Sequence, residues 1–138
     1  MRAKSIIFLI AFLFYRANFL LAQDWNEIIR LHSGEIQSDQ QFGYSVDIQG
    51  NTALIGANGS NGSSVHVIEK KADGTWKEVQ ILKSDKANPS DQFGVSVSID
   101  ENIIAVGASW TDVKIKDQQF KDAGVVYIFE KKNGRWLE

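Results

Sequence analysis

The sequence predicts an all-β fold of tandem four-stranded antiparallel sheets, the blades of a β-propeller, of which about two are present. The first observation is a repeat: the stretch 38–57 recurs as 90–108, with 11 of 19 aligned positions identical once one Gln is dropped. The second is a constant period, because Phe42 to Phe93 and Gly56 to Gly107 both span 51 residues. The third is that each repeat contains four strand patterns. Four-stranded units at this period are typical of propellers, which usually have ~4–8 blades.

The first two strands of each unit have different hydrophobic patterns. Residues 42–48 and their copy 93–99 alternate apolar with small or polar residues, the period of a β-strand. The second strands, Thr52–Ala57 and Ile103–Ala108, are almost continuously apolar, which predicts burial on both faces. The short segments 49–51 and 100–102 are expected to close tight hairpins.

The third strands are predicted at 64–69 and 125–130. Each is followed by a turn signal, Asp73-Gly74 in one unit and Asn133-Gly134 in the other. Such dipeptides between strand patterns are strong hairpin signals. We therefore expect a fourth strand after each turn.

Tryptophans mark the fourth strands. The pattern of Trp76–Leu82 begins again at Trp136 and also occurs earlier, at Trp25–Leu31. Trp25 precedes Phe42 by 17 residues, as Trp76 precedes Phe93, so we expect a leading fourth strand before the first full unit. A β-sandwich is the alternative fold, but it gives no reason for a constant period.

The N-terminus resembles a secretory leader. A basic start precedes an apolar run, Ser5–Tyr15, and the segment ends at Ala22 before polar sequence. We expect a signal peptide at 1–22, a leading outer strand and linker at 23–37, a first blade at 38–89 and a truncated second blade at 90–138. The protein would then be secreted, extracellular or on a bacterial cell surface or in the periplasm. The alternative is an uncleaved anchor, although the apolar run is shorter than the ~20 residues that span a bilayer.

Composition excludes several classes of function. After residue 22 lie 12 of the 15 Lys and Arg and all 17 Asp and Glu, a net charge of −5. No basic stripe is present, so nucleic acid is not expected as a partner, and membrane contact is expected only through the N-terminal segment. The chain has no Cys, which excludes disulfides, thiolate metal sites and Cys nucleophiles.

The repeated motifs resemble a known family. Phe42-Gly43 with Gly56-Ala57, and Phe93-Gly94 with Gly107-Ala108, are similar to the FG-GAP repeat. That family forms the propeller of integrin α subunits and of many exported bacterial proteins. The resemblance implies a β-propeller with a role in adhesion or binding.

The chain departs from the family at the calcium loop. Many members have an Asp-rich run between the first and second strands, where this chain has Gln49-Gly-Asn51 and Asp100-Glu-Asn102. Calcium takes six to eight oxygen ligands, which a tight turn of this composition does not supply. We expect no metal in these hairpins and no cofactor.

We expect the repeated motif residues to pack blades together, with aromatic side chains filling space and glycines allowing close backbone approach. These residues are Phe42, Gly43, Gly56, Ala57, Trp76, Phe93, Gly94, Gly107, Ala108 and Trp136.

No residue is predicted to be catalytic. His66 aligns with Tyr127 in the third strand, and the sequence shows no partner for it, so a packing or surface role is expected. Asp39 and Asp91 precede the Phe-Gly pair in each copy and are expected to cap or tie down a loop.

The two copies differ most between the second and third strands. The second copy carries ten extra residues within a long loop, 109–123, that includes Trp110 and Phe120. Insertions in repeat proteins concentrate on one face, often the binding face. Our hypothesis is that Trp110 and Phe120 contact a protein or glycan ligand. The alternative is that they pack down to hold the loop.

The leading interpretation is an exported, non-catalytic propeller segment that acts as a binding or adhesion scaffold. The alternative is the accessory N-terminal part of a larger secreted hydrolase. Two blades alone would leave an apolar face of each open to water. The chain is therefore expected to be a fragment that meets further blades of a longer protein, or else to self-associate.

Overall fold

The computed structural model describes residues 26–34, 37–60 and 62–138. The predicted signal peptide, 1–22, and Trp25 lie outside the described residues. Among the described residues, no helix is long and apolar enough to cross a membrane. Residues 26–31 belong to a separate N-terminal unit, and residues 32–138 form the unit that contains both sheets.

The first sheet, blade 1, is a four-stranded antiparallel meander in the order β1-β2-β3-β4. Its strands are β1 (Phe42–Gln49), β2 (Thr52–Gly59), β3 (Gly62–Lys70) and β4 (Trp76–Leu82). The pair Gln49 and Thr52 closes the first hairpin with a two-residue loop, as expected. All four strands were predicted. Both β2 and β3 are longer than the predicted strands 52–57 and 64–69, because Asn58 pairs with Ser63 across the hairpin.

The second sheet, blade 2, repeats this arrangement with a hairpin inserted. Its elements in chain order are β5 (Phe93–Asp100), β6 (Ile103–Ala108), β7 (Val113–Ile115), β8 (Gln118–Phe120), β9 (Val125–Lys132) and β10 (Arg135–Leu137). The sheet order is β10-β9-β6-β5, and β7 pairs only with β8. Asn133 and Gly134 both have positive φ, as the two-residue turn between β9 and β10 requires.

Two meanders of equal topology, one per repeat, establish the all-β fold of partial propeller blades. The sheets lie within the predicted segments 38–89 and 90–138. A short 3₁₀ helix at Pro89–Asp91, which was not predicted, leads into β5.

The hydrophobic core lies between the two sheets. Blade 1 contributes one face, and blade 2 covers it with the Phe93 side of β5 and the inner faces of β6, β9 and β10. The core residues are Leu54, Val65, Val67 and Leu82 from blade 1, with Phe93, Ile99, Ile104, Val106, Ala108, Tyr127, Phe129 and Trp136 from blade 2. The blades therefore stabilise each other across their faces, as repeat units do.

Two predictions about individual strands are wrong. The leading strand expected at Trp25–Leu31 is absent from 26–31, which contains no strand. A strand needs a partner, and the third strand of each blade is already paired on its outer side, with β4 or β10. The expected double burial holds for β2 but fails for β6, where Ile103 is exposed and Ile104 is buried. Among the described residues, the face of blade 2 that carries Ile103 lies away from blade 1 and has no neighbouring sheet.

Candidate functional site

The Phe-Gly pair of each repeat forms a turn at the start of the first strand. The N–H of Tyr44 donates to the Gln41 carbonyl at 3.2 Å, and Val95 donates to Gln92 at 3.0 Å. Gly43 and Gly94 have φ of 94° and 85°, a conformation that side chains disfavour. The chain there bulges out of register with the second strand. The glycine is therefore required by the turn.

The Gly-Ala motif of blade 1 lies beneath this turn of blade 2. A Cβ added at Gly56 would overlap both the carbonyl oxygen of Gly94 and the hydroxyl of Ser45. Ser45 donates that hydroxyl to the Gly94 carbonyl at 2.7 Å. The Phe-Gly motif of one repeat is thus complementary to the Gly-Ala motif of the repeat before it.

The motif residues of the two blades differ in burial. Phe93, Gly94, Gly56 and Ala57 are buried. Phe42 is half-buried and Gly43 is exposed. On blade 2, Ala108 and Trp136 are buried, whereas Gly107 is only half-buried, as is Trp76 on blade 1.

Two further side chains of β1 bind the backbone of blade 2. The Asp47 carboxylate accepts from the N–H of Ile99 at 2.8 Å, and the Gln49 amide oxygen accepts from the N–H of Glu101 at 2.6 Å. With Ser45, they form a row of three bonds to the backbone of blade 2, which we call the side-chain ladder. The Ile99 N–H is the main cause that lowers the pKa of Asp47 below its ordinary value. The hydrogen bond from Ile99 therefore favours the ionised form of Asp47, which makes this carboxylate the charged member of the ladder.

The outer strands are also joined across the blades. The Gln80 amide donates to the Trp136 carbonyl at 2.7 Å and accepts from the Trp136 N–H at 2.9 Å. Lys131 of blade 2 donates to Glu69 of blade 1 at 3.0 Å, the largest cause that lowers the pKa of Glu69. The blade junction is thus held at its inner edge, its centre and its outer edge.

The predicted loop 109–123 contains the hairpin of β7 and β8. Its base is anchored by two backbone hydrogen bonds. The backbone N–H of Trp110 donates to the Asp91 carbonyl at 3.2 Å, and that of Gly124 donates to the Thr111 carbonyl at 3.0 Å. Within the hairpin, the Asp112 carboxylate accepts from the N–H of Asp122 at 3.0 Å and from the Gln119 amide at 2.9 Å. The Asp122 bond is the main cause that lowers the pKa of Asp112. The insertion is therefore a hydrogen-bonded hairpin rather than an irregular loop.

The two candidate contact residues on this insertion are largely solvent-exposed. Trp110 is 56% and Phe120 is 45% exposed. Ser109 donates its hydroxyl to Gln92 at 3.0 Å, so the base of the insertion lies beside the linker that enters β5. Exposed aromatic side chains on a rigid support are common at binding surfaces.

Sequence reasoning missed a polar relay in blade 1. His66 contacts Glu78 through Nδ1 at 2.6 Å and the Ser64 hydroxyl through Nε2 at 3.1 Å. A carboxylate only accepts, so Nδ1 carries the proton of the bond to Glu78. Ser64 and His66 share a strand face, and Glu78 lies on the adjacent strand. The available signal was a Ser-x-His pair followed by a fourth strand that contains Glu.

The relay has the order of groups found in Ser-His-acid hydrolases, but its surroundings favour a structural role. The adjoining cavity has a volume of about 110 Å³. Small-molecule sites usually measure ~300–1,000 Å³. Phe42 also meets the His66 ring edge-on, with centroids 5.1 Å apart, as Phe93 meets Tyr127 at 5.3 Å. His66 therefore occupies an aromatic packing position and satisfies two polar neighbours.

The two repeat aspartates have different roles. Asp91 is buried, and its carboxylate accepts from the N–H of Asn88 at 3.0 Å, which ties down the linker as expected. Asp39 is exposed, and its backbone packs against the turn at Gly59, where an added Cβ would overlap the Asp39 carbonyl. Among the residues described, no cluster of three or more His, Asp or Glu side chains could hold a metal ion.

Comparison with known families gives one match. The model of the FG-GAP repeat matches residues 25–68 and 76–129, which together cover more than two thirds of the chain. A comparison with curated proteins finds no match.

Proposed function

This chain belongs to the FG-GAP repeat family, and we propose that it is an exported, non-catalytic scaffold that binds a protein or glycan through its inserted hairpin. The observation that carries the proposal is the exposure of Trp110 and Phe120 on an insertion whose base is hydrogen-bonded to the blade. Large aromatic side chains supply contact area with few rotatable bonds, so little entropy is lost on binding.

The chemistry of the hairpin fits a protein or glycan ligand. Ile115 is also exposed, and Lys114, Lys116 and Lys121 lie among Asp112, Asp117 and Asp122. Apolar rings surrounded by charges of both signs are typical of a binding patch with a polar rim. Aromatic faces also suit sugar rings, which present apolar C–H groups.

We extend the proposal to the cellular location of the protein and to an adhesive role. The basic start, apolar run and small residue Ala22 support export with cleavage before Gln23. An integrin-like adhesive role in a bacterial setting is the finer form of the same proposal, and it rests on the family resemblance. Mass spectrometry of the exported protein tests the address: a mature N-terminus at Gln23 supports it, and an intact Met1 terminus contradicts it.

The binding test compares the wild-type chain with the double variant Trp110→Ala/Phe120→Ala on an immobilised glycan array and a panel of extracellular-matrix proteins. We expect the wild type to bind at least one probe and the double variant to lose at least tenfold in affinity. The matched control is Val79→Ala/Ile81→Ala, which removes two exposed apolar side chains from β4.

Urea unfolding of the same proteins separates the two interpretations of the aromatic pair. Equal unfolding midpoints with lost binding support a contact role. A large drop in the midpoint of the double variant, or binding that it retains, contradicts the proposal.

A further inference from the structure

Blade 2 has an open face whose counterpart on blade 1 is fully covered. Val126 and Ile128 are 64% and 51% exposed, whereas Val65 and Val67, which hold the same positions in β3, are completely buried. In blade 1 that burial comes from β5 of blade 2. The open face therefore has the position and chemistry of a surface that receives a first strand.

The open face also has an unfilled recess where a Phe-Gly turn would lie. A recess of about 400 Å³ is lined by Ser96, Gly107, Ala108 and Val126, among others. Ser96 and Gly107 correspond to Ser45 and Gly56, the pair that contacts Gly94 across the existing junction. A glycine with a serine hydroxyl beside it is thus present in both blades. In blade 1 the space above this pair is occupied by Gly94, whereas in blade 2 no described residue occupies the corresponding space.

The side-chain ladder is partly retained on this face. Ser96 takes the place of Ser45. Asp100, at the position of Gln49, already accepts from the Gln49 amide at 3.2 Å across the junction with blade 1. Ile103 adds exposed apolar surface to the same face.

The chain also carries a first strand with exposed apolar side chains. Val46 and Ile48 of β1 are 69% and 60% exposed, whereas Val97 and Ile99, their counterparts in β5, face blade 1 and the core. One chain therefore presents a receiving face on blade 2 and a first strand of the matching type on blade 1.

We propose that the open face of blade 2 receives β1 of a second copy of this chain, in a head-to-tail contact that repeats the part of the blade junction made by the first strand. By the 51-residue correspondence, Ser96 would donate to the carbonyl of Gly43. Val126 and Ile128 would cover Val46 and Ile48. Because such a contact joins two unlike surfaces, a closed assembly built from it is a ring. A ring of propeller size would hold roughly two to four copies, since each adds two blades to a total of ~4–8.

The test uses the full chain and two single variants in multi-angle light scattering. Val46→Asp blocks the donor strand, and Ile128→Asp blocks the receiving face. Each variant alone is expected to have the mass of one chain, whereas the wild type forms a discrete oligomer. An equimolar mixture of the two variants keeps one intact donor and one intact receiver, so it is expected to form a heterodimer.

Ile115→Asp, on the exposed hairpin, is the matched control and is expected to leave the oligomer unchanged. All substituted side chains are exposed, so circular dichroism is expected to match the wild type. A wild type that stays a single chain at every concentration overturns the proposal. Association that persists in both variants also overturns it, since contacts through the apolar leader would behave in that way.

Discussion

The hydroxyl of Ser45 in blade 1 donates to the carbonyl of Gly94 in blade 2 at 2.7 Å, directly above Gly56. These three residues come from the Phe-Gly motif of one repeat and the first strand and Gly-Ala motif of the other. The repeated motifs therefore meet between the blades rather than within one blade.

Gly56→Ala is expected to destabilise the protein by roughly 1–3 kcal/mol, the usual cost of overpacking. The new methyl group would meet the backbone of Gly94, which cannot move without shifting β5. Gly107→Ala is the matched control, because its methyl group would overlap the Ser96 hydroxyl, which can rotate, and would make only an ordinary contact with Val95. Urea unfolding gives both free energies, and equal losses in the two variants would contradict this account of the junction.

Asp47→Ala is expected to lower the unfolding free energy by about 1–2 kcal/mol at neutral pH, because the Ile99 N–H loses a charged acceptor. The folded pKa of Asp47 is lowered, so its contribution is present above the unfolded pKa of ~3.9 and is lost as pH falls through the folded value. The difference in unfolding free energy between wild type and variant should narrow below about pH 5 and continue to narrow as pH falls through the lowered folded pKa. A difference independent of pH would exclude the charged bond as its source.

His66→Phe is expected to cost roughly 1–3 kcal/mol, because the Ser64 hydroxyl would remain buried without its partner. The phenyl ring keeps the edge contact with Phe42, so packing changes little. The double variant Ser64→Ala/His66→Phe removes both groups and should recover part of the loss. Chemical denaturation gives the unfolding free energies of the wild type and both variants. A double variant less stable than His66→Phe would show that the unpaired Ser64 hydroxyl is not the cause of the loss.

Asp112→Ala is expected to loosen the inserted hairpin without changing global stability. The Asp122 N–H loses its acceptor, so its hydrogen exchange should quicken, while the amides of β6 and β9 stay protected. Asp117→Ala, at the hairpin tip, is the control and should leave exchange at Asp122 unchanged. Unaltered exchange in Asp112→Ala would mean that other contacts hold the hairpin.

The repeat and its alternation predicted the strands of both blades, including Trp76–Leu82 to the residue. The prediction could not assign burial, because burial depends on neighbours. Ile55 and Val106 are buried on matching strands, yet Val67 is covered and its counterpart Ile128 is exposed. The physical difference is that blade 2 packs on the face of blade 1 that carries Val67, whereas no described sheet packs on the face of blade 2 that carries Ile128.

Other features could not be predicted from the sequence, because some strands are too short to show a pattern and because the pairing register of β3 with β4 contains a bulge. The strands β7 and β8 have three residues each, too few to show a period. Glu78 reaches His66 because it pairs with Ile68 next to a bulge at Val67, and a bulge changes which side chains meet. The packing role of the Phe-Gly and Gly-Ala motifs could be anticipated, whereas the Ser45, Asp47 and Gln49 ladder required the geometry.

The segments that match the family do not coincide with the sheets. The match at 76–129 contains β4, which completes blade 1, together with β5, β6 and β9 of blade 2. The matched segment is therefore offset by one strand from the folded sheet. It contains the outer strand of blade 1 together with the first two strands of blade 2, so it spans the junction between the blades.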